Sequence, residues 1–429
     1  MTAGGHTVEE CRWHEGIVPV TVTLVHRGPD PTPGATTMPP APLRCPRCGR
    51  AADGFTGCAS CARDDVGVNT PPPLADLSGL DLAAYPGGPW GWPAALPVSG
   101  PPVTLGEGNT PVVRLRTTSA TVARPTTGDG GLWLKYEGAN PTGSHKDRAM
   151  SVGVAAALAA GADTVVAASS GNAGAAAAAY AARAGLRCVV FTTDAVPPEL
   201  RAQIDALGAE RQVRRGGTAE RNAAMAEAVA THGWYPLTSF STPSPGGNPY
   251  ANEGYKSVAH ELARDFAGRP IDTVVVPTSR ADLLAGIARG FRELAGAGLI
   301  AEVPRLVAAE PAAAAPFTAA LRQPDRAEQE RTRVNSGPTV AFSLGEQRPC
   351  WQGLDALWRT GGTAVAVDDE VTMAECRRLA AEGLLLEPSS AVAVAVARTL
   401  VTGPDAVVVA IGTATGMKAL GAASGRDGD

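Results

Sequence analysis

From about residue 103 onward the chain alternates between two hydrophobic periods, and that alternation limits its fold more than any other feature. "ADTVVAAS" (162–169), "LRCVVFTT" (186–193), "IDTVVVPT" (271–278), "RLVAAEP" (305–311) and "DAVVVAIGT" (405–413) are short apolar runs rich in branched residues, which predicts buried strands. "AGAAAAAYAARAG" (173–185), "PPELRAQIDALG" (197–208), "TAERNAAMAEAVATHG" (218–233) and "LLAGIARGFRELAG" (283–296) predict helices between them. Strands joined through helices form parallel sheets covered on both faces, so the expected fold is α/β with two doubly wound parallel-sheet domains. Ligands in such folds bind where the carboxyl ends of strands run into loops.

Composition narrows the functions. A net charge of -5 offers no broad basic surface and argues against nucleic acid as a partner. No apolar run approaches the roughly 20 residues of a membrane span, so no membrane role is expected. The start shows no signal-peptide pattern, and cytoplasm is the default expectation. Residues 1–44 lack a period and contain "RGPDPTPGATTMPPAP", which predicts a flexible leader. Residues 62–102, with "TPPPLADL" and "YPGGPWGWPAALP", suit a Pro/Gly-rich arm packed over a larger body.

Between leader and arm, Cys45, Cys48, Cys58 and Cys61 form C-x2-C-x9-C-x2-C. Two such knuckles can present four thiolates tetrahedrally, the geometry of structural zinc, and in a cytoplasmic chain this outweighs disulfides. A small zinc ribbon is therefore expected over 45–61. Cys188, Cys350 and Cys376 read as small apolar fillers or near-surface thiols.

Two further stretches carry chemistry. In "ASSGNAG", a strand runs through Ser169, Ser170, Gly171 and Asn172 into a helix, whose first turn favours a carboxylate or phosphate; read alone, these residues are as well explained as helix caps. "EGANPTGSHKDRAM" (137–150) holds one of only four lysines in the chain. The Pro-Gly turn before it and the helical run after it place Lys146 in a first helical turn, where the helix dipole disfavours the ammonium form and favours a nucleophilic amine.

Together with "LGEGNTPVVRL", "NPYANEGYKSVAHEL" (248–262), "VVVPTSRADLLAGIARGF" (274–291), "LEPSSAVAVAVA" (386–397) and "GTATGMK" (412–418), these stretches resemble threonine synthase and its relatives among fold-type II pyridoxal-phosphate enzymes. The resemblance covers about residues 100–420. It implies a tryptophan synthase β-like fold, with a larger domain from 103–147 and 248–422, a smaller one from 148–247, and a tail at 423–429. It implies that Lys146 bonds covalently to pyridoxal 5'-phosphate and then shuttles protons, that Asn172 contacts the pyridoxal hydroxyl, and that Thr413 faces the ring nitrogen. Ser170, Gly171, Asn172 and Ala173 would hold the substrate carboxylate, with Ser144 and His145 beside the substrate and Lys135 toward its phosphate. The cofactor phosphate would lie on the loop Thr278, Ser279, Arg280, Ala281 and Asp282.

Two departures stand out. Ser279 and Ala281 replace expected glycines, so Arg280 either compensates by contacting the phosphate or points at an acidic substrate group. His145 replaces an expected phenylalanine and either fills its space, the reading favoured here, or tunes proton transfer. The expected activity is conversion of O-phosphohomoserine to threonine. A specialised β-replacement or β-elimination on serine-like or phosphoserine-like substrates is the alternative, and a non-catalytic relative the third reading. The partner expected is a small amino-acid substrate; a homodimer is compatible with the sequence, which gives no firm oligomeric state.

Overall fold

The computed structural model describes residues 43–52, 54–116, 131–169, 171–194, 196–403 and 405–418. The expected leader, apart from residues 43 and 44, and the expected tail lie outside the described residues.

β1 (Leu43–Arg44) and β2 (Ala51–Ala52) form an antiparallel pair, followed by α1 (Ala59–Arg63). β3 (Val112–Arg114) and β4 (Gly131–Tyr136) open a larger sheet and lead into α2 (Lys146–Ala159). A smaller sheet follows through β5 (Thr164–Ala168), α3 (Asn172–Ala184), β6 (Arg187–Thr192), α4 (Pro198–Ala206), β7 (Glu210–Val213), α5 (Thr218–His232) and β8 (Tyr235–Pro236). The chain returns through α6 (Pro249–Asn252) and α7 (Lys256–Asp265) to β9 (Thr273–Pro277), α8 (Asp282–Gly296) and β10 (Arg305–Pro311). α9 (Pro316–Ala320), α10 (Arg326–Arg331), α11 (Trp351–Arg359), β11 (Thr363–Val367), α12 (Asp369–Ala381), α13 (Pro388–Leu400) and β12 (Val407–Gly412) complete it.

The larger sheet has the order β11-β10-β9-β12-β4-β3, and β3 runs antiparallel to its neighbour while the other pairs are parallel. The smaller sheet, β7-β6-β5-β8, is parallel throughout. This is the expected α/β architecture. Its central strands are apolar at nearly every position because both faces are covered. Val274, Val276 and Ile411 pack toward Leu262 of α7, Ile287 of α8 and Leu354 of α11, while Val275, Val408 and Ala410 pack toward Val392, Val394 and Val396 of α13. In the smaller sheet Val165 and Val190 face Val154 of α2 and Tyr180 of α3, and Val166 and Phe191 face Met225 of α5.

The Pro/Gly-rich stretch lies across this body in extended form. Leu77, Tyr85 and Trp92 join the core on α7 and α8. Lys256 Nζ donates to the Ala95 carbonyl at 2.7 Å, and Trp90 Nε1 donates to Ser151 Oγ of α2 at 2.6 Å.

One buried cation ties these parts together. The fully buried Arg148, in the first turn of α2, donates to Glu137 (2.6 and 2.8 Å) after β4 and to Glu261 (2.7 and 2.8 Å) on α7. Glu261 also takes Lys135 of β4 at 2.7 Å and the Gly88 and Asn109 amides at 2.8 Å. Burial alone would raise the Glu261 carboxyl, but Arg148 and Lys135 overcome it and hold it well below the usual carboxylate range. Removing one member of such a set leaves uncompensated buried charge. Arg148→Ala is expected to destabilise the protein by about 3–5 kcal/mol, read as a large fall in the urea midpoint.

Candidate active site

The carboxyl ends of β9 and β12 in the larger sheet and of β5 in the smaller one open onto a cavity of about 390 Å³. Lys146, the first residue of α2, is in its wall. Its Nζ lies 3.2 Å from the Tyr255 hydroxyl. Burial lowers the pKa of this ammonium, and Arg280 adds to the effect against the opposing charges of Asp282 and Glu387. A half-buried amine of reduced basicity is a nucleophile and a proton carrier.

The turn before it is anchored to the end of β12. Ser144 bridges Ala414, and the His145 amide donates to the Thr413 carbonyl at 2.8 Å. His145 Nδ1 lies 3.1 Å from the same oxygen. A carbonyl only accepts, so Nδ1 carries the hydrogen and Nε2 is left as an acceptor. Burial, reinforced by the Lys146 charge, holds the imidazole well below its ordinary pKa, hence neutral. The ring also packs 5.6 Å from the Tyr255 ring centroid. It therefore occupies an aromatic's place and makes a hydrogen bond that phenylalanine could not.

Gly171, Asn172 and Ala173, at the start of α3, also line the cavity, while Ser170 lies outside the described residues. Asn172 is held from both sides: its Nδ2 donates to Glu387 at 3.2 Å and its Oδ1 accepts from Lys418 Nζ at 3.0 Å. Burial lowers Lys418 to about 8, against Asp147 and Glu387. Thr413, buried at the end of β12, shares a 2.8 Å hydroxyl–hydroxyl hydrogen bond with Ser390.

Ser279, Arg280, Ala281 and Asp282 line the cavity between β9 and α8. Ala281 has φ +59°, a left-handed conformation that glycine adopts freely and alanine does not. Its methyl is accommodated because position 353 on α11 is glycine: a Cβ there would lie 2.5 Å from it. Arg280 Nε donates to Glu346 at 2.7 Å. The Asp282 carboxylate accepts from the Gly247 amide (2.7 Å), Asn252 Nδ2 (3.0 Å) and Gln352 Nε2 (2.6 Å).

Three of the expected residues do not reach the cavity wall. Thr278 is buried, its hydroxyl donating to the Val276 carbonyl, and Ser144 serves the turn. Lys135 is fully buried between Glu261 and Asp265 and does not line the cavity. Its neighbours on β4 are buried or half-buried on both faces, so strand parity gives no sign of which side it takes. Conversely, Tyr255 meets Lys146, Glu387 and Lys418 meet Asn172, and Ser390 meets Thr413, although sequence reasoning assigned these four no role. Each lies within a stretch that carries the resemblance, the signal that could have found them.

The four knuckle cysteines sit together, with all Sγ atoms within 4.8 Å of one another. The Cys45–Cys61 and Cys48–Cys58 separations are 3.7 and 3.6 Å. Sulfurs on a tetrahedron about zinc lie roughly 3.8 Å apart, from a Zn–S length of ~2.3 Å, so the donor set fits that metal. Cys188, Cys350 and Cys376 are buried. No helix among the described residues is long and apolar enough to cross a membrane.

Two largely parallel sheets meeting at a half-buried lysine at the start of a helix have the architecture of fold-type II pyridoxal-phosphate enzymes. Residues 103–414 match the family model described as pyridoxal-phosphate dependent enzyme, and the chain belongs to that family. Among its relatives are the threonine synthases of Methanosarcina acetivorans, 33% identical over 76% of this chain and 78% of that one, and of Methanocaldococcus jannaschii, 33% identical over 74% and 76%. O-ureido-L-serine synthase superposes with a TM-score of 0.62 at 26% identity, over 77% of this chain and 97% of that one. A cysteine synthase from Entamoeba histolytica, 20% identical with a TM-score of 0.59, shares the fold.

The residues present fit the cofactor. Lys146 supplies an amine of lowered basicity, the Thr413–Ser390 pair a neutral hydroxyl end, and Ser279, Arg280 and the start of α8 an anion end. Because the Lys146 ammonium is disfavoured, uptake of pyridoxal phosphate by the apo-protein should rise with pH to a midpoint below the ~10.4 of an ordinary lysine. Arg280→Gln removes a cation that disfavours the charged form and is expected to move that midpoint upward, as read from visible absorbance against pH.

Proposed function

We propose that this enzyme acts on a small amino acid carrying a leaving group, and that its reaction is of threonine synthase type: O-phosphohomoserine and water give threonine and phosphate. The observation that carries the reading is the half-buried Lys146 amine at the cavity wall, 3.2 Å from Tyr255 and opposite the start of α3. The threonine synthases among the relatives support the choice of substrate.

When bound, pyridoxal phosphate draws electrons from the bonds at the substrate α-carbon. Lys146 Nζ holds the cofactor, then removes and returns protons along the substrate chain. Phosphate leaves from the γ-carbon and water adds at the β-carbon. The Tyr255 hydroxyl keeps the amine in place between proton transfers. The amides at Gly171, Asn172 and Ala173, at the positive end of α3, hold the substrate carboxylate. Thr413, backed by Ser390, would meet the ring nitrogen with a hydroxyl rather than a carboxylate, which suits elimination and replacement chemistry. Ser279, Arg280, Ala281 and Asp282, with Thr278 buried behind them, would form the loop at the cofactor phosphate.

A β-replacement on a serine-like substrate is the second reading. It is favoured by the burial of Lys135 away from the cavity and by the likeness to O-ureido-L-serine synthase. Incubation of the holo-protein with O-phosphohomoserine, O-phosphoserine, serine and threonine, following phosphate, ammonia and new amino acids, separates the two. Phosphate and threonine formed from O-phosphohomoserine, and lost in Lys146→Ala, are expected. Consumption of serine or phosphoserine with no phosphate from O-phosphohomoserine would move the assignment to the second reading.

A further inference from the structure

The cysteine knuckles contact a turn that reaches the cofactor loop. Cys58 N donates to the Val68 carbonyl at 3.1 Å, and Val66 N donates to the Cys61 carbonyl at 3.1 Å, so segment 66–69 is hung from two of the four cysteines. That segment lies on the backbone of residues 244–247. A Cβ on Gly67 would sit 2.0 Å from the Ser244 carbonyl oxygen, a backbone atom, so only glycine allows this approach. The buried Asn69 donates from Nδ2 to the Gly247 carbonyl at 2.8 Å. Gly247, in turn, gives its amide to Asp282, the first residue of α8.

A second route ends at the same carboxylate. Cys45, Cys58, Cys61, Val66 and Val68 pack with Trp351 of α11 in one apolar cluster. Arg47, between the first two cysteines, donates to Glu330 at 2.9 and 3.1 Å, and Trp351 Nε1 donates to Glu330 at 2.8 Å. The next residue, Gln352, donates to Asp282 and to the Arg280 carbonyl at 2.9 Å. Ala281, strained at positive φ, lies between these two held residues.

We propose that the metal-loaded knuckle is the buttress of the cofactor loop: by fixing segment 66–69 and Trp351, it holds Gly247 and Gln352 on Asp282 and so sets the protein's affinity for pyridoxal phosphate without touching the cavity. In this arrangement Asn69 is a positioning residue. The inference rests on residues 278–282 being the cofactor-phosphate loop.

The experiment measures the dissociation constant for pyridoxal phosphate, from the visible absorbance of the bound cofactor, in zinc-loaded, metal-stripped and zinc-restored wild type and in zinc-loaded Asn69→Ala. Far-UV circular dichroism and zinc content are followed in parallel. Loss of one buried hydrogen bond in Asn69→Ala should weaken the cofactor by about fivefold with zinc content and fold unchanged. Stripping the metal should weaken it by at least as much, and zinc should restore it. Unchanged affinity in Asn69→Ala overturns the proposal even where stripping unfolds the protein, as does a protein that takes up no zinc. Absence of cofactor absorbance from zinc-loaded wild type overturns instead the functional reading on which the proposal depends.

Discussion

The guanidinium of Arg148 is the interaction on which the rest depends. It lies two residues beyond Lys146, fully buried, and its donors are divided between Glu137 at the end of β4 and Glu261 on α7. Arg148 thus locks the first turn of α2 to the larger sheet, while the His145 amide and the Ser144 bridge lock the preceding turn to β12. Between these two anchors Lys146 has little freedom of position. A desolvated ammonium without an anchored backbone would swing toward water; here the backbone is held, and the lowered basicity follows from where the side chain must go.

Charges around the cavity are each given a partner. Arg280 faces Glu346, Asn172 stands between Lys418 and Glu387, and Asp282 is satisfied by three neutral donors. The loop between β9 and α8 is held by side chains, with Gly353 across from Ala281 providing the room that Ala281 takes. That side-chain support makes the loop depend on neighbours outside the sheet, the cysteine knuckle among them.

Much of this was legible in the sequence, and for identifiable reasons. Strands such as Thr273–Pro277 and Val407–Gly412 are covered on both faces, which leaves an unbroken apolar signature. The short edge strand Val112–Arg114 and the half-buried Thr363–Val367 carry no such signature and were not read. Lys146 was legible because its chain is poor in lysine and a rigid turn precedes it. The burial of Lys135 was not legible because its position depends on Glu261 and Asp265, distant in sequence. The same distance hid Tyr255, Glu387 and Lys418: they become site residues only when α7, α13 and β12 converge on α2 and α3.

On the proposed mechanism Lys146, and no other lysine, carries the cofactor. Borohydride reduction of the holo-protein followed by proteolysis and mass spectrometry tests it directly. The expected result is a phosphopyridoxyl group on the peptide containing Lys146, absent from Lys146→Ala. The group on Lys135, Lys256 or Lys418, or on no lysine, would contradict it.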